Sequence, residues 1–138
     1  MTKKIVVLQG SKSDEPIGSV VGEILKSYDI DFDRLVLSAH RDPEKLEQFC
    51  RSANEKYALV IAIAGLSAAL PGAVAARTKI PVIGVPVDTG PLRGIDALLS
   101  IAQMPSGIPV AAMGIGVAGA KNAGHLAARI LRIEENPF

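Results

Sequence analysis

The chain has 138 residues, of which 49% are apolar and 21% charged, and its formal net charge is +1. This length and composition predict one domain over residues 1–138 with a substantial core, and they argue against disorder. The charge, with no basic stripe among aromatics, argues against nucleic acid as a partner. We expect no signal peptide, because Ile5–Leu8 is too short an apolar run after the first lysines, and no membrane span.

The number of cysteines indicates the cellular compartment in which we expect the protein. Cys50 is the only cysteine, so no disulfide can form within the chain. Reduced cysteines are typical of the cytosol, and the expected location is therefore cytoplasmic.

Short apolar runs alternate with helical patterns along the chain. Ile5–Leu8 stops at Gln9-Gly10 and predicts a buried strand, and a helix with Pro16 in its first turn continues to Tyr28. A second helix is expected to begin at Pro43, with Asp42 as its N-cap. The remaining strands are predicted at 32–37, 59–63, 81–85 and 108–112, and the remaining helices at about 67–77, at 96–103 and through 123–131.

This alternation predicts an α/β fold. Strands that are apolar throughout are typical of a parallel sheet covered by helices on both faces, which gives a three-layer α-β-α sandwich. Five such units in a short chain favour the flavodoxin-like strand order 2-1-3-4-5. The last residues, Glu134–Phe138, are expected to be an exposed end.

The predicted strand order also locates a candidate site. Ligands of such sheets bind outside the carboxyl ends of the strands, near the point where the strand order reverses. Three loops are expected to converge there: Gly10–Asp14, Ser38–Arg41 and Ala64–Ala68.

The first loop admits two interpretations. Gly10, the hydroxyls of Ser11 and Ser13, and a following helix N-terminus are suited to cradle an anion or hydroxyls. Alternatively, Ser13 or Asp14 simply caps the helix, which contributes about 1 kcal/mol. Asp14 is compatible with both roles.

The second loop places His40 beside Arg41. Imidazole exchanges protons near neutral pH, and guanidinium suits a phosphate or carboxylate, so the pair predicts proton transfer on an anionic small molecule. The alternatives are a histidine satisfied by structure at a helix start, and an arginine paired with Glu44 or Glu47 on the surface. The other histidine, His125, is expected to contact solvent or another subunit.

Two other patterns are weaker. The third loop holds small residues and no acid, which argues against a phosphoacceptor domain and favours a pocket lined by backbone. Gly114–Gly119 matches G-x-G-x-x-G, but the chain ends too soon afterwards to supply the following strand and acid of a dinucleotide site, so we interpret it as a strand-to-helix turn. The sequence has no cluster of cysteines and histidines of the kind that would indicate a zinc site.

These residues together resemble a known family, the catalytic subunit of phosphoribosylaminoimidazole carboxylase, also called 5-(carboxyamino)imidazole ribonucleotide mutase. The resemblance covers nearly the whole chain, and the Ser-Ala-His-Arg and Gln-Met-Pro blocks are its most specific parts. The matching blocks, in chain order, are Gly10–Asp14, Ser38–Arg41, Ala64-Gly65, Leu70–Gly72, Pro81–Pro86, Leu99–Gly107 and Gly119–Ala123.

The resemblance implies a role in purine synthesis, in which a carboxyl group moves from an exocyclic amine to a ring carbon of an imidazole ribonucleotide, without metal or organic cofactor. It implies that His40 shuttles the proton. It also implies a cytoplasmic homo-octamer with sites at subunit junctions, to which Gln103–Pro105 would belong. The substrate-binding residues that it indicates are Ser11, Asp14, Ser38, Arg41, Ala64, Gly65 and Leu70.

The chain departs from the family at one position. The mutase branch usually has a histidine just before Leu-Pro-Gly, where this chain has Ala69. Ser67 and Ala69 resemble the branch that carboxylates 5-aminoimidazole ribonucleotide directly with CO2, whereas Pro71 and Arg41 resemble the mutase branch. We favour the mutase and keep direct carboxylation as the alternative.

Two hypotheses lie outside the family. A flavodoxin-like electron carrier would need aromatic residues against a flavin, and the tyrosines and phenylalanines fall within predicted elements or at the tail. A nucleotide-binding regulatory module could use the same pocket without needing His40.

Overall fold

A parallel sheet forms the centre of the protein. The structure, a computed structural model, describes residues 3–132. Within these residues the strands are β1 (Lys4–Gln9), β2 (Phe32–Val36), β3 (Tyr57–Ala64), β4 (Val82–Pro86) and β5 (Ala111–Ala112). They pair in parallel in the order β2-β1-β3-β4-β5, which confirms the predicted order. The predicted exposed end, Glu134–Phe138, lies outside the described residues.

Helices cover both faces of the sheet. They are α1 (Glu15–Ser27), α2 (Pro43–Lys56), α3 (Leu70–Ala75), α4 (Ile95–Ala102) and α5 (Val117–Leu131), and a 3₁₀ turn at Lys12–Asp14 leads into α1. Helices α1 and α5 pack on one face, whereas α2, α3 and α4 pack on the other. The three-layer sandwich is therefore confirmed. Within residues 3–132, no helix is long and apolar enough to cross a membrane.

The apolar strands explain this layering. Ile5 and Val7 of β1 contact the layer of α1 and α5, and Val6 and Leu8 contact the opposite layer. All four side chains are fully buried. Because successive side chains of a strand point to opposite faces, a strand without polar residues needs cover on both sides.

Two elements are shorter than predicted. The strand expected at 108–112 covers only Ala111–Ala112, because Pro109 has no N–H to donate and the N–H of Ile108 bonds to Pro105 O in a turn. The helix expected at about 67–77 is Leu70–Ala75. It begins late because the N–H of Ala69 bonds to Ser67 O in a tight turn, and the first helical bond runs from the N–H of Ala73 to Ala69 O.

A polar network around the buried Gln9 joins the first two strands to α1. Gln9 is only 1% exposed. Its Oε1 accepts from Arg34 Nη2 at 3.0 Å, its Nε2 donates to Glu15 Oε2 at 3.3 Å, and Arg34 Nη2 also donates to Glu15 Oε1. Gly18 leaves room for this amide, since a Cβ there would lie 2.0 Å from Gln9 Oε1.

We expect Gly18→Ala to lower the free energy of unfolding by about 1–2 kcal/mol, since displaced buried polar groups cost about 1–3 kcal/mol and the better helix propensity of alanine returns up to about 1 kcal/mol. Denaturant unfolding measures this. In a Gln9→Ala background the same change should cost much less, because the clashing amide is gone. Equal costs in both backgrounds would show that the contact is irrelevant.

Candidate active site

A cleft of about 560 Å³ opens at the carboxyl ends of β1, β2 and β3. The three loops expected to converge all line it. The predicted catalytic and substrate-binding residues lie on its wall: Ser11, Asp14, Ser38, His40, Arg41, Ala64, Gly65 and Leu70. The strand order therefore brings these residues together, and their individual roles remain predictions.

The first loop is held by a capping box. Ser11 Oγ accepts from the backbone N–H of Ser13 at 3.3 Å, and Asp14 Oδ2 accepts from the backbone N–H of Ser11 at 3.1 Å. The Ser11 and Ser13 hydroxyls lie 2.9 Å apart. Asp14 precedes α1 without a side-chain bond to it, so the side-chain cap belongs to Ser11 and the 3₁₀ turn, and not to Ser13 or Asp14.

Asp14 is a buried carboxyl in the cleft wall, and it is only 4% exposed. Burial raises the pKa of Asp14 from its ordinary value of 3.8, and the hydrogen bond from Ser11 opposes this only in part. Loss of solvent disfavours the charged form, whereas a donated hydrogen bond favours it. The capping box thus holds the carboxyl in place without cancelling its desolvation.

The raised pKa of Asp14 predicts a pH effect on stability. Folding favours the protonated carboxyl, so its contribution is complete below 3.8 and is lost as the pH rises through the raised value. Relative to Asp14→Asn, the wild type should be more stable at low pH than at neutral pH, measured by denaturant unfolding across the range. Asp29→Asn, an exposed change at the opposite end of the sheet, is the control. A difference between wild type and Asp14→Asn that is independent of pH would contradict the effect.

The second loop presents two exposed side chains, His40 and Arg41. A turn orients them: Ser38 Oγ accepts from the N–H of Arg41 at 3.1 Å, and Ser38 O accepts from the N–H of Asp42 at 3.0 Å. Pro43 begins α2 as predicted, with Asp42 at the N-cap position, although the Asp42 side chain makes no capping bond.

The structural alternatives for this pair find no support. Glu47 pairs with Arg77 at 2.5 Å instead of with Arg41. Among residues 3–132, neither His40 nor Arg41 makes a side-chain hydrogen bond or ion pair. An imidazole and a guanidinium that face a cleft in this way are available to a ligand.

The third loop forms the apolar side of the cleft. Ala64, Ala68 and Leu70 are buried, and the exposed part of the wall includes Leu66 and Ala69, with Ser67 as the single polar side chain of this loop. The N–H of Ala69 bonds to Ser67 O at 2.8 Å and tightens the turn before α3. The site therefore has a polar side made by the first two loops and an apolar side made by the third.

Sequence reasoning missed Thr89, which also lines the cleft. It follows β4, and its Oγ1 would lie 3.2 Å from a Cβ on Gly65. The sequence signal that could have identified Thr89 is a hydroxyl residue shortly after the carboxyl end of β4. Ligands were expected where the strand order reverses, between β1 and β3, and the loop after β4 lies one strand beyond that point.

Three features that the sequence analysis interpreted lie outside the cleft. Gly114–Gly119 covers the turn after β5 and the first residues of α5, in agreement with the predicted strand-to-helix turn. That His125 contacts solvent or another subunit stays a prediction. The structure shows it partly buried and hydrogen-bonded through Nδ1 to Tyr28 Oη at 2.7 Å, a contact that the sequence did not predict. The reason is that α1 and α5 pack side by side. Gln103–Pro105 follows α4 and does not line the cleft.

Within the described residues, no group of three or more His, Cys, Asp or Glu side chains is placed to hold a metal ion. None of the aromatic side chains described lines the cleft: Tyr28 lies against His125, and Phe49 stacks on Tyr57. The stacking partners that a flavin carrier would need are thus engaged elsewhere.

Comparison with known proteins gives consistent results. The AIR carboxylase family profile matches residues 4–138. The N5-carboxyaminoimidazole ribonucleotide mutase of Pyrococcus abyssi is 48% identical over 132 residues, which are 95% of this chain and 75% of that protein. The enzyme of the same name from Haemophilus influenzae is 49% identical over 131 residues, 94% of this chain and 80% of that protein. The crystal structure of Treponema denticola PurE superposes with a TM-score of 0.85 at 32% identity, covering 96% of this chain and 82% of that one. The chain belongs to the AIR carboxylase family.

Proposed function

We propose that this chain is an N5-carboxyaminoimidazole ribonucleotide mutase of purine biosynthesis, an isomerase. The observation that carries the proposal is the placement of His40 and Arg41 opposite an apolar wall in one cleft, in a chain whose relatives at 46–49% identity bear that name. A polar side and an apolar side are what this reaction needs, because its substrate is an anionic nucleotide and its mobile group passes through CO2.

The chemistry requires one proton relay. As the bond between the exocyclic nitrogen and the carboxyl carbon breaks, the nitrogen takes a proton and CO2 is released. The ring carbon then attacks CO2, a carbon–carbon bond forms, and the ring carbon loses its proton. We assign both transfers to His40: it donates the first proton and receives the second, so its protonation state is restored.

The other cleft residues bind and orient the substrate in this proposal. Arg41 contacts the phosphate, since its guanidinium is exposed in the cleft and unpaired among residues 3–132. Ser11 and Asp14 orient the substrate through the hydroxyl and the carboxyl of the capped loop, and Ser38 supports the second loop. Ala64, Gly65 and Leu70 supply the apolar wall. Holding CO2 beside its nucleophile replaces a bimolecular encounter, an effect worth up to roughly 7–11 kcal/mol.

Direct carboxylation of 5-aminoimidazole ribonucleotide is the second candidate. Ala69 favours it, because this exposed position in the cleft wall carries no imidazole. Both candidates give the same product and differ in the carboxyl donor.

Turnover with two substrates in parallel distinguishes the candidates. One assay supplies the carboxyamino ribonucleotide without bicarbonate, and the other supplies the aminoimidazole ribonucleotide with bicarbonate varied. We expect rapid conversion in the first assay only. Conversion only in the second, saturating with CO2, would establish direct carboxylation, and no conversion in either would favour a nucleotide-binding regulatory module.

We also propose a homo-octamer with sites at subunit junctions, located in the cytoplasm. Its support is an exposed apolar surface, the α4 patch, made by Leu92, Ile95 and Leu99, which are 59%, 52% and 55% exposed. Ile95 and Leu99 lie one turn apart on α4, and Leu92 lies in the loop before it. Exposed apolar residues grouped in this way are typical of interfaces. The free thiol of Cys50 is compatible with a reducing compartment.

The α4 patch predicts the effect of a charge. Leu99→Asp should shift the light-scattering mass from an octamer to smaller species and lower kcat, because a desolvated carboxylate disfavours the interface. Val117→Asp, which changes a side chain 51% exposed on α5, should leave the mass unchanged. If Leu99→Asp remains an octamer, the α4 patch is not part of the subunit interface.

A further inference from the structure

Leu66 combines an unfavourable backbone with an exposed side chain in the cleft. Its φ is 56°, in the left-handed region that leucine rarely adopts because its Cβ approaches the carbonyl oxygen. Its side chain lines the cleft and remains 49% exposed. Strained residues persist only where the surrounding structure holds them, and they are frequent at functional sites.

The contacts of Leu66 show what holds it. Its Cδ2 lies 2.6 Å from the position that a Cβ on Gly90 would take. The methyl group therefore packs directly on the backbone of the loop that follows β4, next to Thr89. Leu66 thus spans from the third loop to the β4 loop at the edge of the cleft, and Gly90 can accept it because it has no side chain.

Leu66 is also the largest exposed apolar side chain among the cleft residues. The remaining apolar lining consists of alanines and the buried Leu70. The opposite side is polar, with Asp14, His40 and Arg41. CO2 carries no charge and no net dipole, so the apolar side is the part of the cleft that can hold it without competing water.

We propose that Leu66 is a specificity-determining residue: its side chain closes the apolar side of the cleft and retains CO2 between its release from nitrogen and its capture by the ring carbon. This inference rests on the proposed function. When CO2 escapes, the nitrogen has already taken its proton, and the product is the aminoimidazole ribonucleotide together with free CO2. Retention therefore decides between the carboxylated product and the amine.

The measurement is the ratio of amine to carboxylated product formed from the carboxyamino ribonucleotide, after subtraction of decarboxylation without enzyme. We expect Leu66→Gly to raise this ratio at least fivefold. Leu66→Asn, which tolerates the left-handed backbone but is polar, should raise it as well, and Leu66→Met should keep it near the wild-type value. Asp29→Gly is the matched backbone control, because Asp29 also has a φ of 56° but lies outside the cleft.

The outcomes separate the two proposals. A wild-type ratio in Leu66→Gly and Leu66→Asn, even with slower consumption of substrate, would overturn the role of Leu66, because a merely structural residue changes the rate and not the partition. A wild type that makes no carboxylated product from this substrate would instead overturn the proposed mutase function.

Discussion

Replacement of His40 by asparagine is expected to lower kcat by about 10²–10⁴-fold, the contribution of a positioned proton-transfer group. Asparagine keeps a polar side chain of similar size but cannot carry a proton between the nitrogen and the ring carbon. Because His40 makes no side-chain bond within residues 3–132, the fold and substrate binding should change little. Steady-state kinetics and equilibrium binding of the product measure the two effects separately.

The second histidine provides the matched control for this prediction. His125→Asn removes a partly buried ring that bonds Tyr28, the residue after α1, and neither residue lines the cleft. We expect a modest loss of stability with kcat retained. Wild-type turnover in His40→Asn would contradict the proposed mechanism, because a group other than His40 would then carry the proton.

Gly119→Ala is expected to destabilise the fold by about 3 kcal/mol, at the upper end of the usual cost of overpacking. A Cβ at this position would lie 1.6 Å from Gly114 O and 2.5 Å from the same carbonyl carbon. Both atoms belong to the backbone, so relief requires a shift of α5 against the turn that leads into it. The shift would disturb Ala120 and Ala123, which are fully buried against the sheet.

Denaturant unfolding tests the Gly119 prediction. Lys121→Ala, an exposed change on the same helix, should stay within about 0.5 kcal/mol of the wild type. Unfolding of Gly119→Ala at the wild-type midpoint would mean that the glycine-rich turn adapts freely, and that Gly114–Gly119 does not fix the position of α5.

The strand order and the convergence of the three loops could be predicted because they depend on local patterns. Apolar strands such as Ile5–Leu8 require cover on both faces, and parallel strands joined by helices have few allowed orders. Once the order is known, the carboxyl ends of β1, β2 and β3 must meet, which brings Ser11, His40 and Gly65 to one cleft.

The remaining features depend on contacts that no local pattern encodes. A left-handed leucine at Leu66 is held by packing on Gly90, and leucine itself gives no sign of it. The bond between His125 and Tyr28 depends on which helices are neighbours on one face of the sheet. Thr89 enters the cleft because the loops after β3 and β4 touch, and not because of the strand reversal.

The most direct test of the mutase proposal is the origin of the transferred carbon. Carboxyaminoimidazole ribonucleotide labelled with carbon-13 in its carboxyl group is incubated with the wild type in excess unlabelled bicarbonate, alongside a reaction without enzyme. Transfer within the cleft predicts that the early product retains most of the label. A product that carries the unlabelled carbon of the medium would contradict the mutase and establish direct carboxylation of the amine.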